Sequence, residues 1–174
     1  MYFDILTEVA NFLISKLADI EAFYLTKGGW EGWAQCELTR FLYQRLGNNA
    51  VNVFRESNNP YQYSPHPNQR SDFYLQFLGL APYVPVTIEL KTESIYQEAV
   101  NATSLAARFN TDINKIQQVN PHGAAAQDLY AIGITCSAEG AQKVINILHI
   151  NPAFNILLPN GGTLNLFYVN SRVA

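Results

Sequence analysis

Two cysteines, one methionine and three histidines are all that this chain of 174 residues offers to a soft metal or a disulfide framework. Cys36 and Cys136 fall in apolar company, one in a helix-like segment and one at the end of a strand-like one. They read as reduced, buried thiols of a cytosolic-type protein. His66, His122 and His149 are scattered and have no Cys or His neighbours in sequence, which argues against zinc. Charge is equally sparse: 11 Lys plus Arg stand against 14 Asp plus Glu. No basic field advertises a polyanion partner, so such a partner must be met by a few local cations. The chain has no Ser or Cys nucleophile signature and no dinucleotide glycine fingerprint, and "KGGWEG" lacks the Lys-Ser/Thr ending of a phosphate loop. Asp4, Glu8, Lys16, Asp19 and Glu21 interrupt the N-terminal apolar segment and no basic stretch leads into it. The expectation is therefore neither a secretory leader nor a membrane span, and a cytoplasmic location.

What is present is apolar residues, 48% of the chain, with two different periods. Phe3, Leu6, Val9, Ala10, Phe12, Leu13, Leu17 and Ile20 recur at helical spacing until "TKGG" ends the run. Ala34, Leu38, Phe41, Leu42 and Leu46 predict a second helix over 32–46. From residue 50 the period becomes two: "AVNVF", "SDFYLQFL" and "YVPVTIELK" read as strands, the last two forming a hairpin across "GLAP". A helix over 100–119 buries Leu105, Phe109, Ile113 and Ile116. "DLYAIGIT" reads as a buried strand of the parallel kind, Ser137 caps a further helix, and Asn-Gly in the tail marks a C-terminal hairpin. These elements predict one domain over 1–174 of α/β (α+β) class, with a mixed central β-sheet flanked by helices.

The stretch "PVTIELKTES", 85–94, asks for chemistry. Val84, Val86, Ile88 and Leu90 share one side of the strand, leaving Thr87, Glu89 and Lys91 on the other. Asp72 lies on the corresponding side of "SDFYLQFL", with Tyr74 and Gln76. A turn centred between residues 80 and 82 sets Asp72 across from Glu89 or Lys91, so two carboxylates and an ammonium emerge from the solvated face of a hairpin whose other face is dry. Oxygen donors at that spacing suit Mg²⁺, which takes one or two protein carboxylates and completes its shell with water and phosphate oxygens.

Asp72 in "RSDFYL", the acid-x-lysine step Glu89-Leu90-Lys91 and an acid in the preceding helix, Glu37 in "GWAQCEL", resemble the PD-(D/E)xK, restriction-endonuclease-like, nuclease superfamily. Its members share a core helix, three strands, a helix and a final strand. The resemblance spans about 30–136 and leaves 1–29 and 137–174 as extensions. It implies a metal-dependent endonuclease, with Mg²⁺ or Mn²⁺ held by Asp72, Glu89, the Leu90 carbonyl and Glu37, and with Lys91 assisting the attacking water. Nucleic acid, with DNA favoured by family habit, is the implied substrate, in restriction, repair or toxicity. A toxin needs a cognate immunity or inhibitor protein. Two departures stand out: no proline precedes Asp72, and the net charge is acidic.

Other residues have plainer alternatives. Arg55, Arg70, Arg108 and Lys115, with Lys27, are the candidate phosphate contacts, against solvated surface cations. Arg108, Asp112 and Lys115 lie together on the wheel of the 100–119 helix, and spacing does not select which faces a site. Trp30 and Trp33 read as a core lid before base-stacking platforms. Glu31 ranks below Glu37 because it is expected to precede the regular helix. The 56–70 loop is long and polar enough for a functional segment. The apolar C-terminal hairpin is a candidate homodimer surface. The rival function is a catalytically silent nuclease fold acting as a protein-binding scaffold.

Overall fold

The change of hydrophobic period near residue 50 marks the passage from helices to a sheet. A computed structural model describes residues 4–26, 29–47, 49–61, 64–65, 67–79, 83–95, 104–119 and 126–173. Three helices come first: α1 (Ile5–Ser15), α2 (Leu17–Tyr24) and α3 (Glu31–Leu46). Strand β1 (Val51–Ser57) leads through a 3-10 turn (Asn59–Tyr61) to β2 (Ser71–Phe77) and β3 (Val86–Thr92). After these come α4 (Leu105–Gln117), β4 (Gln127–Thr135), α5 (Ala138–Leu148), β5 (Phe154–Leu157) and β6 (Thr163–Val173). The strands form one mixed sheet in the order β1-β2-β3-β4-β6-β5. Among the described residues only β3 and β4 run parallel, as expected for strands joined by a helical crossover.

Both faces of the sheet are covered. Phe12, Leu13, Ala34, Leu38 and Leu42 of α1 and α3 pack on one face against Phe73, Leu75, Ile88 and Leu90. On the other, Leu105, Phe109, Ile113 and Ile116 of α4 and Val144 of α5 pack against Leu129, Ala131 and Phe167. Gly133 of β4 makes room for α4: a Cβ there would lie 3.0 Å from the Phe109 ring.

Several expectations need correction. The N-terminal helix is broken at Lys16, at φ −126° and ψ 17°, where neither glycine nor proline marks the break. Of the helix expected over 100–119, the first residues lie outside the described ones, as do His66, His122 and Lys27. Cys36 is exposed, with its Sγ 3.0 Å from Arg55 Nη1, whereas Cys136 is buried. The C-terminal hairpin turns at Gly161, φ 85°, but β6 is inserted beside β4 along that strand's whole length. Leu164, Leu166 and Phe167 of β6 are therefore core residues of this chain, while Leu157 of β5 is exposed. No helix among the described residues is long and apolar enough to cross a membrane.

Candidate active site

Antiparallel register brings the central residues together. Phe73 pairs with Ile88 and Tyr74 with Thr87, so the next step along the ladder sets Asp72 beside Glu89. Alternation then sends Ile88 and Leu90 to the α1/α3 face, and Glu89 and Lys91 to the face covered by α4. That second face is not solvated, contrary to expectation. Every residue of β3 except Lys91 is buried, and Glu89 is only 2% exposed. The reason is the parallel partner strand, whose crossover helix must lie on the sheet.

The Lys91 ammonium sits in a cage of oxygens. It donates to Glu31 Oε1 at 3.1 Å, to Asp72 Oδ2 at 3.3 Å and to the Leu90 carbonyl at 3.0 Å. Asp112 Oδ2 lies 3.3 Å away and completes the ring of ion pairs around the ammonium. Asp72 Oδ2 also accepts the Leu90 N–H at 2.7 Å, which ties β2 to β3 beyond the paired rungs. Beside this cage, Glu89 Oε1 accepts from the Tyr61 hydroxyl and pairs with Lys115 Nζ at 2.9 Å. The Lys115 ammonium also stands over the Tyr61 ring, 4.6 Å from its centre. Arg108 donates to Glu31 Oε2 at 3.3 Å and to the Thr92 carbonyl at 2.9 Å. The wheel stripe Arg108, Asp112, Lys115 thus faces the cluster as a whole, because positions i, i+4 and i+7 share one side of a helix.

Four carboxylates, of Glu31, Asp72, Glu89 and Asp112, meet three cations, of Lys91, Arg108 and Lys115, for a formal charge of −1. Burial pushes Glu89 up to about 7; Lys115 opposes the shift, and the charges of Asp72 and Asp112 add to it. Burial likewise lifts Asp112 to about 6, against the pull of Lys91. Burial works against the Lys91 ammonium too, but Asp112, Asp72 and Glu31 outweigh it and hold its pKa above the ordinary lysine range. Tyr61 is held well above a normal phenol, by burial and by the adjacent Glu89 charge.

Glu37 lies outside the cluster. Its carboxylate pairs with Lys16 at 2.7 Å and with Arg40 at 3.9 Å, so the α3 acid that reaches β3 is Glu31, the first residue of the helix. Six positions separate the two acids, about 1.7 turns, which turns Glu37 away from the side Glu31 faces. Arg55 is exposed and donates to Gln35 Oε1 at 2.9 Å. Arg70 is exposed and accepts from Lys115 through its backbone carbonyl. Arg108 and Lys115 are tied to Glu31 and Glu89 and are not free phosphate contacts in this arrangement. Trp30 is fully buried and donates from Nε1 to the Glu93 carbonyl at 2.8 Å, and Trp33 packs on Phe23 with ring centres 4.8 Å apart. His149 ends α5 in a left-handed conformation, φ 56°. Sequence reasoning missed Tyr61, a loop tyrosine with no periodic signal. Asp112 was visible as one of three candidates.

The oxygen donors of Asp72, Glu89, Glu31, Asp112 and the Leu90 carbonyl fit a hard divalent ion such as Mg²⁺. Among the described residues, however, no three Asp, Glu, His or Cys side chains stand close enough together to form a ready ligand set. The cage oxygens are spaced around an ammonium at 3.0–3.3 Å, wider than the ~2.1 Å that Mg²⁺ requires. A cavity of about 310 Å³ opens elsewhere, at the start of α5 between Tyr24, Glu93, Ser137 and Lys143. No family model matches the chain, and no curated protein matches it.

Proposed function

We propose that the chain is a Mg²⁺-dependent endonuclease of PD-(D/E)xK type, hydrolysing phosphodiester bonds with DNA as the favoured substrate and Mn²⁺ as an alternative ion. The observation that carries this reading is the joining of Asp72 Oδ2 to both the Leu90 N–H and the Lys91 ammonium. It sets the single aspartate against the acid-x-lysine step on one sheet face. Asp72, Glu89 and the Leu90 carbonyl would hold the ion, with Glu31 in the place expected of Glu37. The bound ion supplies a water of lowered pKa and polarises the phosphoryl group. Lys91, kept protonated by its three carboxylates, acts as a hydrogen-bond donor that orients the nucleophile and neutralises charge on phosphorus, and not as a base.

Incubation of the purified chain with supercoiled plasmid and with single-stranded RNA, in Mg²⁺ or in EDTA, tests this. Nicking confined to the Mg²⁺ lanes is expected, and it should fall by about 10²–10⁴-fold in Glu89→Ala and Lys91→Ala proteins of normal fold. Equal cutting by these variants would remove the assignment. The near-complete burial of Glu89 favours a second reading, a catalytically silent fold serving as a protein-binding module. That reading requires no heat of Mg²⁺ binding in calorimetry and indifference to Asp72→Asn.

A further inference from the structure

The alternation that sends Asp72 to the α4 face of the sheet sends Tyr74 and Gln76 there too. The register of β1 then sets Phe54 beside Tyr74 and Asn52 beside Gln76. Helix α4 lies over β3, β4 and β6, and the β1–β2 end of this face is left open. Phe54 and Tyr74 pack into neither hydrophobic core of the described residues. Phe54 is 41% exposed, Gln76 is exposed, and Asn52 and Tyr74 are half-buried. The two rings lie side by side, with centres 6.1 Å apart and planes inclined by 34°.

We propose that Phe54 and Tyr74 form a stacking platform for an unpaired nucleobase, with Asn52 and Gln76 bonding to its edge, so that the strand held at the site is single-stranded. This rests on the nuclease reading above and names its substrate class. Aromatic rings open to solvent accept every base, because every base has a π-face. In a duplex the bases are stacked on one another and out of reach. The Asn and Gln amides each offer donors and an acceptor that match the edge of an unpaired base, whereas an apolar protein surface docked here would leave them unsatisfied. The platform is also continuous with the acid/lysine cluster. Tyr74 stands two residues from Asp72 on the same strand and face, about 7 Å away, so a strand with a phosphate at Asp72 brings a neighbouring base over Tyr74. Stacking supplies what charge does not. The chain has 11 Lys plus Arg against 14 Asp plus Glu, and Arg108 and Lys115 are tied to Glu31 and Glu89, so affinity for a polyanion has to come from its bases more than from its phosphates.

Fluorescence anisotropy of the full chain with a labelled oligothymidylate of about 15 nucleotides, in EDTA so that no bond is cut, tests the platform. A duplex and an abasic strand of the same length are the comparison probes. Oligothymidylate should bind at least tenfold more tightly than either, and Phe54→Leu and Tyr74→Leu should each weaken it about tenfold. Tyr74→Phe, which keeps the π-face, should bind as the wild type does. Equal binding of the duplex or of the abasic strand overturns the platform and leaves the nuclease reading intact, as does unchanged affinity in both Leu variants. A loss in those variants that is as large for the abasic strand as for oligothymidylate shows a structural role and overturns it too. Oligothymidylate bound as expected while plasmid and RNA stay uncut in Mg²⁺ removes the nuclease reading and leaves the platform standing. No binding by the wild type overturns the proposal, and a chain that sediments as a dimer but as a monomer in Phe54→Ser assigns this face to a second copy instead.

Discussion

Glu31 and Glu37 are chemically identical side chains on one helix, and phase alone separates them. Glu31→Gln should lower cleavage by about 10²-fold or more, because it takes away a carboxylate that touches Lys91. Glu37→Gln should leave cleavage unchanged, since its partners Lys16 and Arg40 lie away from β3; plasmid nicking by the two variants distinguishes them. Tyr61 makes a different prediction. Its hydroxyl donates to the buried Glu89 carboxylate, so Tyr61→Phe should cost about 1–3 kcal/mol in urea unfolding. That bond lowers the pKa of Glu89, and its loss should move the acid limb of the pH–rate profile to higher pH. A profile unchanged in Tyr61→Phe would mean that Glu89 does not set that limb. At this scale Asp72, Glu89 and Lys91 were legible from alternation, which says which side of a strand a residue occupies. Tyr61 was not, because a residue in an irregular loop carries no period.

Elements meet most tightly where α5 begins. The Glu93 carboxylate accepts the Cys136 N–H at 2.7 Å, the Ser137 N–H at 2.9 Å and the Ser137 hydroxyl, satisfying donors that the start of a helix leaves free. A Cβ on Gly140 would fall 2.3 Å from Glu93 Oε1. Gly to Ala inside a helix ordinarily stabilises by about 1 kcal/mol. Here the carboxylate is pinned by its three donors, and Gly140→Ala should instead destabilise by about 1–3 kcal/mol. Gly32→Ala, whose Cβ meets nothing within 4 Å, is the control that should not destabilise. Thermal unfolding of the two variants reads the contrast, and a stabilised Gly140→Ala would show the Glu93 contact to be loose. The helix, strand and hairpin elements were readable from period and punctuation. The break at Lys16 was not, since the same apolar face continues through it.

At the scale of the whole molecule, burial of the cluster couples stability to pH. Glu89 rises from 4.5 to about 7 and Asp112 from 3.8 to about 6 on folding. Between the unfolded and folded values the native state holds more protons than the unfolded chain, so stability at these groups falls as pH rises. The urea midpoint in EDTA should therefore drop from about pH 4.5 to about 7, and Glu89→Gln should flatten the drop. A midpoint that climbs through this window would show that these carboxylates are ionised in the folded protein. Saturating Mg²⁺ should raise the midpoint at the upper end, by mass action on the native state.

The sequence by itself determined the order of elements, the two hydrophobic periods and the side of β3 on which Glu89 and Lys91 emerge, because period is a local property of the backbone. Only the tertiary structure decided that this side is closed, that Glu31 and not Glu37 reaches it, and that Tyr61, Asp112 and Lys115 complete it. Those groups come from segments tens of residues distant, and their meeting depends on how helices cross the sheet, which no local pattern encodes.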